Sequence, residues 1–254
     1  MRLCLALFLV LVSVSGVTAQ SPQSILAPSG KLRVGVYPGS PTSMIEVPGG
    51  GERRGIAVEV GAELARRLGV EPELVILRRP AEVLEALKEG KADLALTNAT
   101  PERAKIVDFG PPVVALELGF LVRAQARETT LAALDHPDVT IGVSKGSTSE
   151  KALPPRLPQA KFATAVSLDE AAGMLLRGDI AAFATNKAVL FEMADRHPGT
   201  VVLDASWGTE HLALAIPKGR EAAHAYLEAF SRDATVAELI RGAASRAGLR
   251  GQAP

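Results

Sequence analysis

The chain has 254 residues, 28 of them basic and 28 acidic, and carries no formal net charge. A neutral chain has no electrostatic hold on nucleic-acid phosphates or anionic membranes, so a nucleic-acid partner is not expected. Aromatic residues make up only 4% of it, with one tryptophan, which argues against an aromatic-lined site for sugars or bases.

Taken in chain order, the first residues have the three-part layout of a secretory leader. Arg2 gives a positive start, Leu3 to Val12 is an unbroken apolar run, and Val17-Thr18-Ala19 is a small-residue cleavage pattern. The run is too short to span a bilayer, which takes about 20 residues. The expectation is a signal peptide over residues 1–19, cleaved after Ala19, and an exported, periplasmic protein. Cleavage removes Cys4, the sole cysteine, so no disulfide, thiol nucleophile or cysteine metal ligand is expected in the mature chain. Residues 20–30 are polar, carry Pro and Gly, and read as an N-terminal tether.

Lys31 to Val36 alternates like a strand, and Pro38 to Gly51 is a loop rich in Gly, Pro and Ser with a triple glycine. A helix runs from about Gly55 through Leu68, with Gly69 as its stop. Leu74 to Leu77 reads as a strand. Pro80 opens a helix that Gly90 ends, and Ala92 to Leu96 is the next strand. After a break come strands at Leu118–Val122 and Val139–Val143, a helix from about Ser147, and a strand over 162–165. A helix over Leu168–Arg177 stops at Gly178, and Ile180–Ala184 is a strand. Leu212–Pro217 is the last strand, and helices near 220–231 and 235–247 finish the chain. Strands alternating with helices argue for parallel sheet. The segments EALKEGKADLAL (85–96) and GMLLRGDIAAFA (173–184) share one plan of helix, glycine stop and buried strand, which suggests two similar lobes.

Two strand-to-helix turns carry the chemistry. In Thr100-Pro101-Glu102-Arg103 the threonine caps a helix and the proline fits its first turn. Arg103 then leans back toward the strand ending in Thr97-Asn98. Its guanidinium offers two parallel donors that match a carboxylate or phosphate. A surface pair of Arg103 with Glu102 or Asp108 is the alternative. In Gly146-Ser147-Thr148-Ser149-Glu150, Ser147 and Glu150 have capping-box spacing. Ligands in open α/β sheets bind at the carboxyl ends of strands, so two such turns facing each other would frame a cleft.

From Lys31 to Leu249 the chain resembles the bacterial extracellular solute-binding proteins of the polar-amino-acid type, components of ABC transporters. The matching stretches are LRVGVYP (32–38), ARRLGV (65–70), EALKEGKADLAL (85–96), TPERAKIVDF (100–109), LGFLV (118–122), VTIGVSKGST (139–148), RGDIAAF (177–183) and LALAIPKG (212–219). The resemblance implies a two-lobed α/β fold of the type II periplasmic binding class. Each lobe has a mixed, mostly parallel sheet flanked by helices, and two crossing hinge segments join them. Lobe one would comprise 31–116 plus 212–254, and lobe two 117–211. It implies a ligand carboxylate held by Arg103, with Thr97, Asn98 and Thr100 around it, and neutral hydrogen bonds from Ser147, Thr148 and Asn186. Tyr37 and Ser40 would cover the ligand. Relatives that bind α-amino acids carry an aspartate where this chain has Asn186, and an acidic residue where it has Ala57. That keeps a carboxylate as the handle and puts a free α-amino group in question. The implied partners are a small carboxylate ligand and a membrane permease, for a monomer without cofactor or metal.

Other readings stand beside this one. Gly142-Val143-Ser144-Lys145-Gly146 fits a nucleophile elbow, with Asp179 or Asp204 and His211 or His224 to complete a triad. The capping box, however, starts the helix at Ser147 rather than at Ser144. The four histidines (136, 197, 211, 224) lack metal-ligand spacing, and no phosphate loop is present. An enzyme on the same scaffold, similar to cyclohexadienyl dehydratases, would use Glu210 as its acid or base; otherwise Glu210 is a hydrogen-bond acceptor at the hinge. A ligand-sensing periplasmic protein that reports through a partner is the third class.

Overall fold

A computed structural model describes residues 21–46, 52–126 and 129–253. The leader and the triple glycine at 49–51 lie outside the described residues. The chain opens with helix α1 (Pro22–Leu26), strand β1 (Lys31–Val36), α2 (Ile56–Leu68), β2 (Glu71–Ile76), α3 (Pro80–Lys88), β3 (Leu94–Asn98) and the one-turn α4 (Pro101–Ala104). The long strand β4 (Val107–Arg123) leads to α5 (Leu131–Leu134), β5 (Thr140–Ser144), α6 (Thr148–Ala152), β6 (Lys161–Ala165) and α7 (Leu168–Arg177). Then come β7 (Ala182–Asn186), α8 (Lys187–Arg196), β8 (Thr200–Val202), β9 (Gly208–Pro217), α9 (His224–Arg232) and α10 (Ala234–Arg246).

The glycine stops work by backbone geometry. Gly69 and Gly178 end α2 and α7 at φ +70° and +85°, a left-handed conformation that costs glycine nothing. The strands pair in the order β2-β1-β3-β9-β4-β7-β5-β6, with β8 also on β4. Pairs β1–β2, β1–β3, β5–β6 and β5–β7 are parallel, and β9 and β4 are antiparallel to their neighbours. Strand β4 is therefore common to both halves: its first part lies against β9, its last part against β7 and β8.

The apolar cores part along β4. Leu116 packs in a core with Leu32, Val34, Ile56, Leu64, Leu214 and Leu227. Leu118, two residues on, belongs to a core with Phe120, Ile141, Val143 and Trp207. Each half is two-faced, since Val83, Leu87 and Ala215 cover the other side of the first sheet, and Leu175, Phe183 and Met193 that of the second. The fold has two lobes, and β4 and β9 run through both.

Several elements differ from expectation. Residues 22–26 are a helix rather than a tether: Ser21 caps it, Leu26 is fully buried, and the Leu26 carbonyl accepts a bond from Arg220. The strand read as Leu118–Val122 is 17 residues long and includes Pro111 and Pro112, where the β4–β9 register shifts and spares the missing donors. Helix α8 was not anticipated at all. At the surface between the lobes, the chain's last described residues lie along β4: Glu117 N donates to Gly251 O and Ala253 N to Ala115 O. Arg250 stacks 4.7 Å from the Phe191 ring of α8 and pairs with Asp195. Deep in the first lobe, fully buried Asp93 accepts bonds from Arg33 at 2.8 and 2.9 Å and from Arg220 at 2.8 Å. Among the described residues no helix is long and apolar enough to cross a membrane.

Candidate functional site

A cleft between the two lobes, about 580 Å³ including its solvent-filled mouth, collects the ends of β1, β3, β5, β7 and the start of β9. Tyr37, Thr42, Thr97, Asn98 and Arg103 line it from one side, and Ser144, Ser147, Thr148, Thr185 and Asn186 from the other. Glu210 joins them from β9.

Arg103 is placed by the helix start that carries it. Thr100 caps α4 by accepting from Arg103 N at 3.2 Å, with Pro101 in the first turn. The guanidinium turns inward, 8% exposed, where Nη1 donates to Thr97 Oγ1 at 2.7 Å and to Asn98 O at 3.4 Å. Surface pairing does not occur, and Asp108 pairs with Lys218 instead. Both hydrogen-bond partners of Arg103 are neutral. Burial lowers its pKa, opposed by the negative charge of Glu210 nearby. A buried cation with neutral partners has unsatisfied affinity for an anion.

The second turn folds as its spacing predicts. Ser147 caps α6 by accepting from Glu150 N, and the Glu150 carboxylate accepts from Gly146 N at 2.7 Å. Thr148 Oγ1 accepts from Asn98 Nδ2 at 3.4 Å across the cleft, while Asn98 Oδ1 accepts from His211 N. The lobes also meet where Arg79 Nε donates to Lys145 O at 3.3 Å. Gly146, at φ +75°, packs so closely that a Cβ there would come within 2.7 Å of Ala81.

Asn186 faces the cleft, but its side chain has structural duties. Oδ1 caps α8 by accepting from Val189 N at 3.0 Å, and Nδ2 donates to Glu210 Oε1 at 2.8 Å. Burial pushes the Glu210 carboxyl up to about 7, against the lowering effects of Arg103 and the Asn186 bond. Tyr37 is buried and pushed up to about 12 by desolvation, which outweighs the lowering effect of the nearby Ser40 side chain.

Two predicted contacts are corrected. Ser40 is fully buried behind Tyr37, bonded to Thr42 at 2.9 Å, and Thr42 rather than Ser40 reaches the cleft. Thr100 is spent on its cap and faces a wider side opening, about 810 Å³ with its solvent-filled mouth, shared with Arg103, Ser147, Thr148 and Lys151. Ser144 lines the cleft at the end of β5, but the triad is not assembled around it. Asp179 pairs with Arg177, His224 bonds Phe109 O, and His211 and Asp204 are exposed. The sequence reading missed Thr42; it named Glu210 as the candidate cleft acid or base, or else a hinge acceptor, and Glu210 lines the cleft and accepts from Asn186. The only local signal for Glu210 was its place just before the last long apolar strand.

Two lobes, two strands common to both, and a polar cleft between them with a buried arginine define a two-lobed, type II periplasmic-type binding protein. The family model of bacterial extracellular solute-binding proteins, family 3, matches residues 32–241, and the chain belongs to that family. The ABC transporter glutamine-binding protein of Bacillus subtilis is 26% identical over 179 residues, 69% of this chain and 65% of that protein's length. The solved solute receptor for L-cysteine of Neisseria gonorrhoeae superposes with a TM-score of 0.79 at 26% identity, covering 90% of this chain and 93% of that one. An ancestral amino-acid-binding protein described as a precursor of cyclohexadienyl dehydratase gives 0.76 at 28% identity, covering 89% and 99%.

Proposed function

We propose that the protein is the exported substrate-binding component of an ABC transporter, which captures a small carboxylate-bearing solute and hands it to a membrane permease. The observation that carries this is Arg103, a buried guanidinium at the head of a cleft with neutral hydrogen-bond partners. The parting of the cores between Leu116 and Leu118 supports lobes divided at 116/117 and 211/212, joined by β4 and β9. Ligand contacts drawn from both lobes exist only when these close, so binding shifts the population toward the closed form, which the permease reads. Thr97, Asn98 and Tyr37 meet the ligand from one side, and Ser147 and Thr148 from the other. The signal peptide, cleaved after Ala19, delivers a monomer to the periplasm.

The test is calorimetric titration of small carboxylates into the wild type and Arg103→Ala. Loss of a charge-assisted bond is worth about 1.5–3 kcal/mol, so affinity should fall by about 10- to 150-fold. Unchanged affinity would remove the anchor. Glu210 supports a second reading, since a cleft carboxyl pushed up to about 7 is suited to proton transfer in a lyase. Proton NMR of the bound solute over hours separates the two, because a binding protein returns its ligand intact.

A further inference from the structure

We infer that the side opening next to Arg103 is a second compartment of the binding site, which takes the apolar arm of an acid whose carboxylate sits on the guanidinium. This rests on the carboxylate-binding reading above and names a substrate class for it: carboxylates that carry an apolar arm and no second charge.

The opening differs from the cleft in what lines it. Hydroxyls and amides from Thr97, Asn98, Thr185 and Asn186 line the cleft, whereas Leu84, Ile106 and Ala152, all half-buried, give the opening an apolar floor. With its solvent-filled mouth it holds about 810 Å³, against about 580 Å³ for the cleft. Leu84 comes from α3, Ile106 follows α4 and Ala152 ends α6, so both lobes contribute to it. An apolar hollow of this kind gains free energy by exchanging water for hydrocarbon. Exposed Glu102 from the first lobe and exposed Lys151 from the second also line it. Their opposite charges leave no net pull on a charged arm, so the opening selects by apolar area.

Arg103 joins the two spaces. It lines both of them, as do Ser147 and Thr148. Its Nη1 is taken by Thr97 Oγ1 and Asn98 O. Nε and Nη2 bond no described residue and neither is a fully buried atom, so this edge of the guanidinium is open to an incoming group. That edge presents two parallel donors, the arrangement that takes both oxygens of a carboxylate. A carboxylate held there lies at the boundary between cleft and opening, and the chain attached to it has an apolar floor within reach. An acid of two or three carbons would use the guanidinium alone and leave Leu84, Ile106 and Ala152 to water.

The experiment is calorimetric titration at pH 7 of acetate, butanoate, hexanoate and octanoate into the wild type, Ala152→Phe, Ile106→Ser and Arg103→Ala. Each methylene laid on the floor is worth about two- to fourfold in affinity, so the wild type should bind octanoate about 16- to 250-fold more tightly than butanoate. Filling the opening with Ala152→Phe, or wetting it with Ile106→Ser, should flatten that ratio, and Arg103→Ala should weaken every acid. A flat series in the wild type, or a steep one that both floor variants keep, overturns the second compartment, while acids that still depend on Arg103 leave the anchor standing. No acid bound by the wild type removes anchor and compartment together. Should the floor variants not fold, nuclear Overhauser contacts from the terminal methyl of octanoate in the wild type decide. Contacts to Leu84 and Ile106 support the assignment, and contacts to Val189 or Leu212 of the cleft instead overturn it.

Discussion

Replacing Glu210 with glutamine should stabilise the ligand-free protein at neutral pH and leave it unchanged in acid. In the folded chain the carboxyl sits at about 7 against an ordinary 4.5, chiefly because burial disfavours its charge. The native state therefore holds a proton that the unfolded state has released between these values. Stability is full below about pH 4.5, falls as pH rises toward 7, and is flat beyond. Each tenfold change in proton affinity is worth about 1.4 kcal/mol, so the loss is capped at roughly 3 kcal/mol. Part of the Glu210 surface meets solvent in the cleft, and the measured loss should fall below that cap. For a chain of this size each kcal/mol moves Tm by about 2–4 °C, which limits the difference to roughly 6–12 °C. Glutamine keeps an oxygen for Asn186 and has no charge to bury, so Glu210→Gln should lack this pH dependence. The assay is thermal melting of both proteins from pH 4 to 8, read as the difference in Tm. Tyr37 and Arg103, the other ionisable groups in the cleft, do not titrate in that range. A flat difference, or a wild type gaining on the variant as pH rises, would refute the burial argument.

Three further outcomes follow from geometry already described. Gly146→Ala forces a side chain into a left-handed backbone, at about 1–2 kcal/mol, and against Ala81 across the cleft. Its ligand affinity should therefore drop beyond what its small loss in Tm accounts for, and unchanged affinity would show that the two surfaces need not meet. Asp93→Asn leaves Arg33 and Arg220 without their shared buried partner and should cost about 3–5 kcal/mol in chemical denaturation. A loss under 1 kcal/mol would mean the guanidinium groups rearrange freely. Asn186→Ala removes a helix cap worth about 1 kcal/mol and the amide that favours ionised Glu210. The pH window of Glu210 should shift upward in that variant, and a shift downward would contradict the assigned bond.

Much of the architecture could be read from local pattern. Helix α7 ends where Gly178 sits because a 3.6-residue apolar period stops at a residue that turns left-handed freely. The Thr100-Pro101 start and the Ser147 cap were legible for the same reason: capping chemistry is confined to a few neighbouring residues. Helix α8 was hidden because Asn186 was weighed as a ligand contact, although its carbonyl oxygen is a helix cap. The N-terminal β4 segment was hidden by Pro111 and Pro112, which forbid a regular ladder but not a bulged one. What no local pattern carries is the meeting of Asn186 and Glu210, 24 residues apart in sequence. That contact is set by the register of two strands on β4, and with it comes the charge balance of the cleft. Counting charge along a single strand end leaves out a carboxylate that another strand brings into the same cleft.

The C-terminal segment gives the two halves a connection besides the crossing strands. Residues 251–253 are stitched to β4 between Ala115 and Glu117, and Arg250 is anchored on α8 of the second lobe while α10 belongs to the first. Such a strap acts as a spring in parallel with the hinge: any rotation of the lobes must carry it along or peel it away. Backbone bonds of this kind are worth about 1 kcal/mol each, comparable to the free energies that bias open against closed forms. Affinity can thus be tuned by trimming or stiffening a segment that does not line the cleft, and a fluorophore placed there would register closure from the outside.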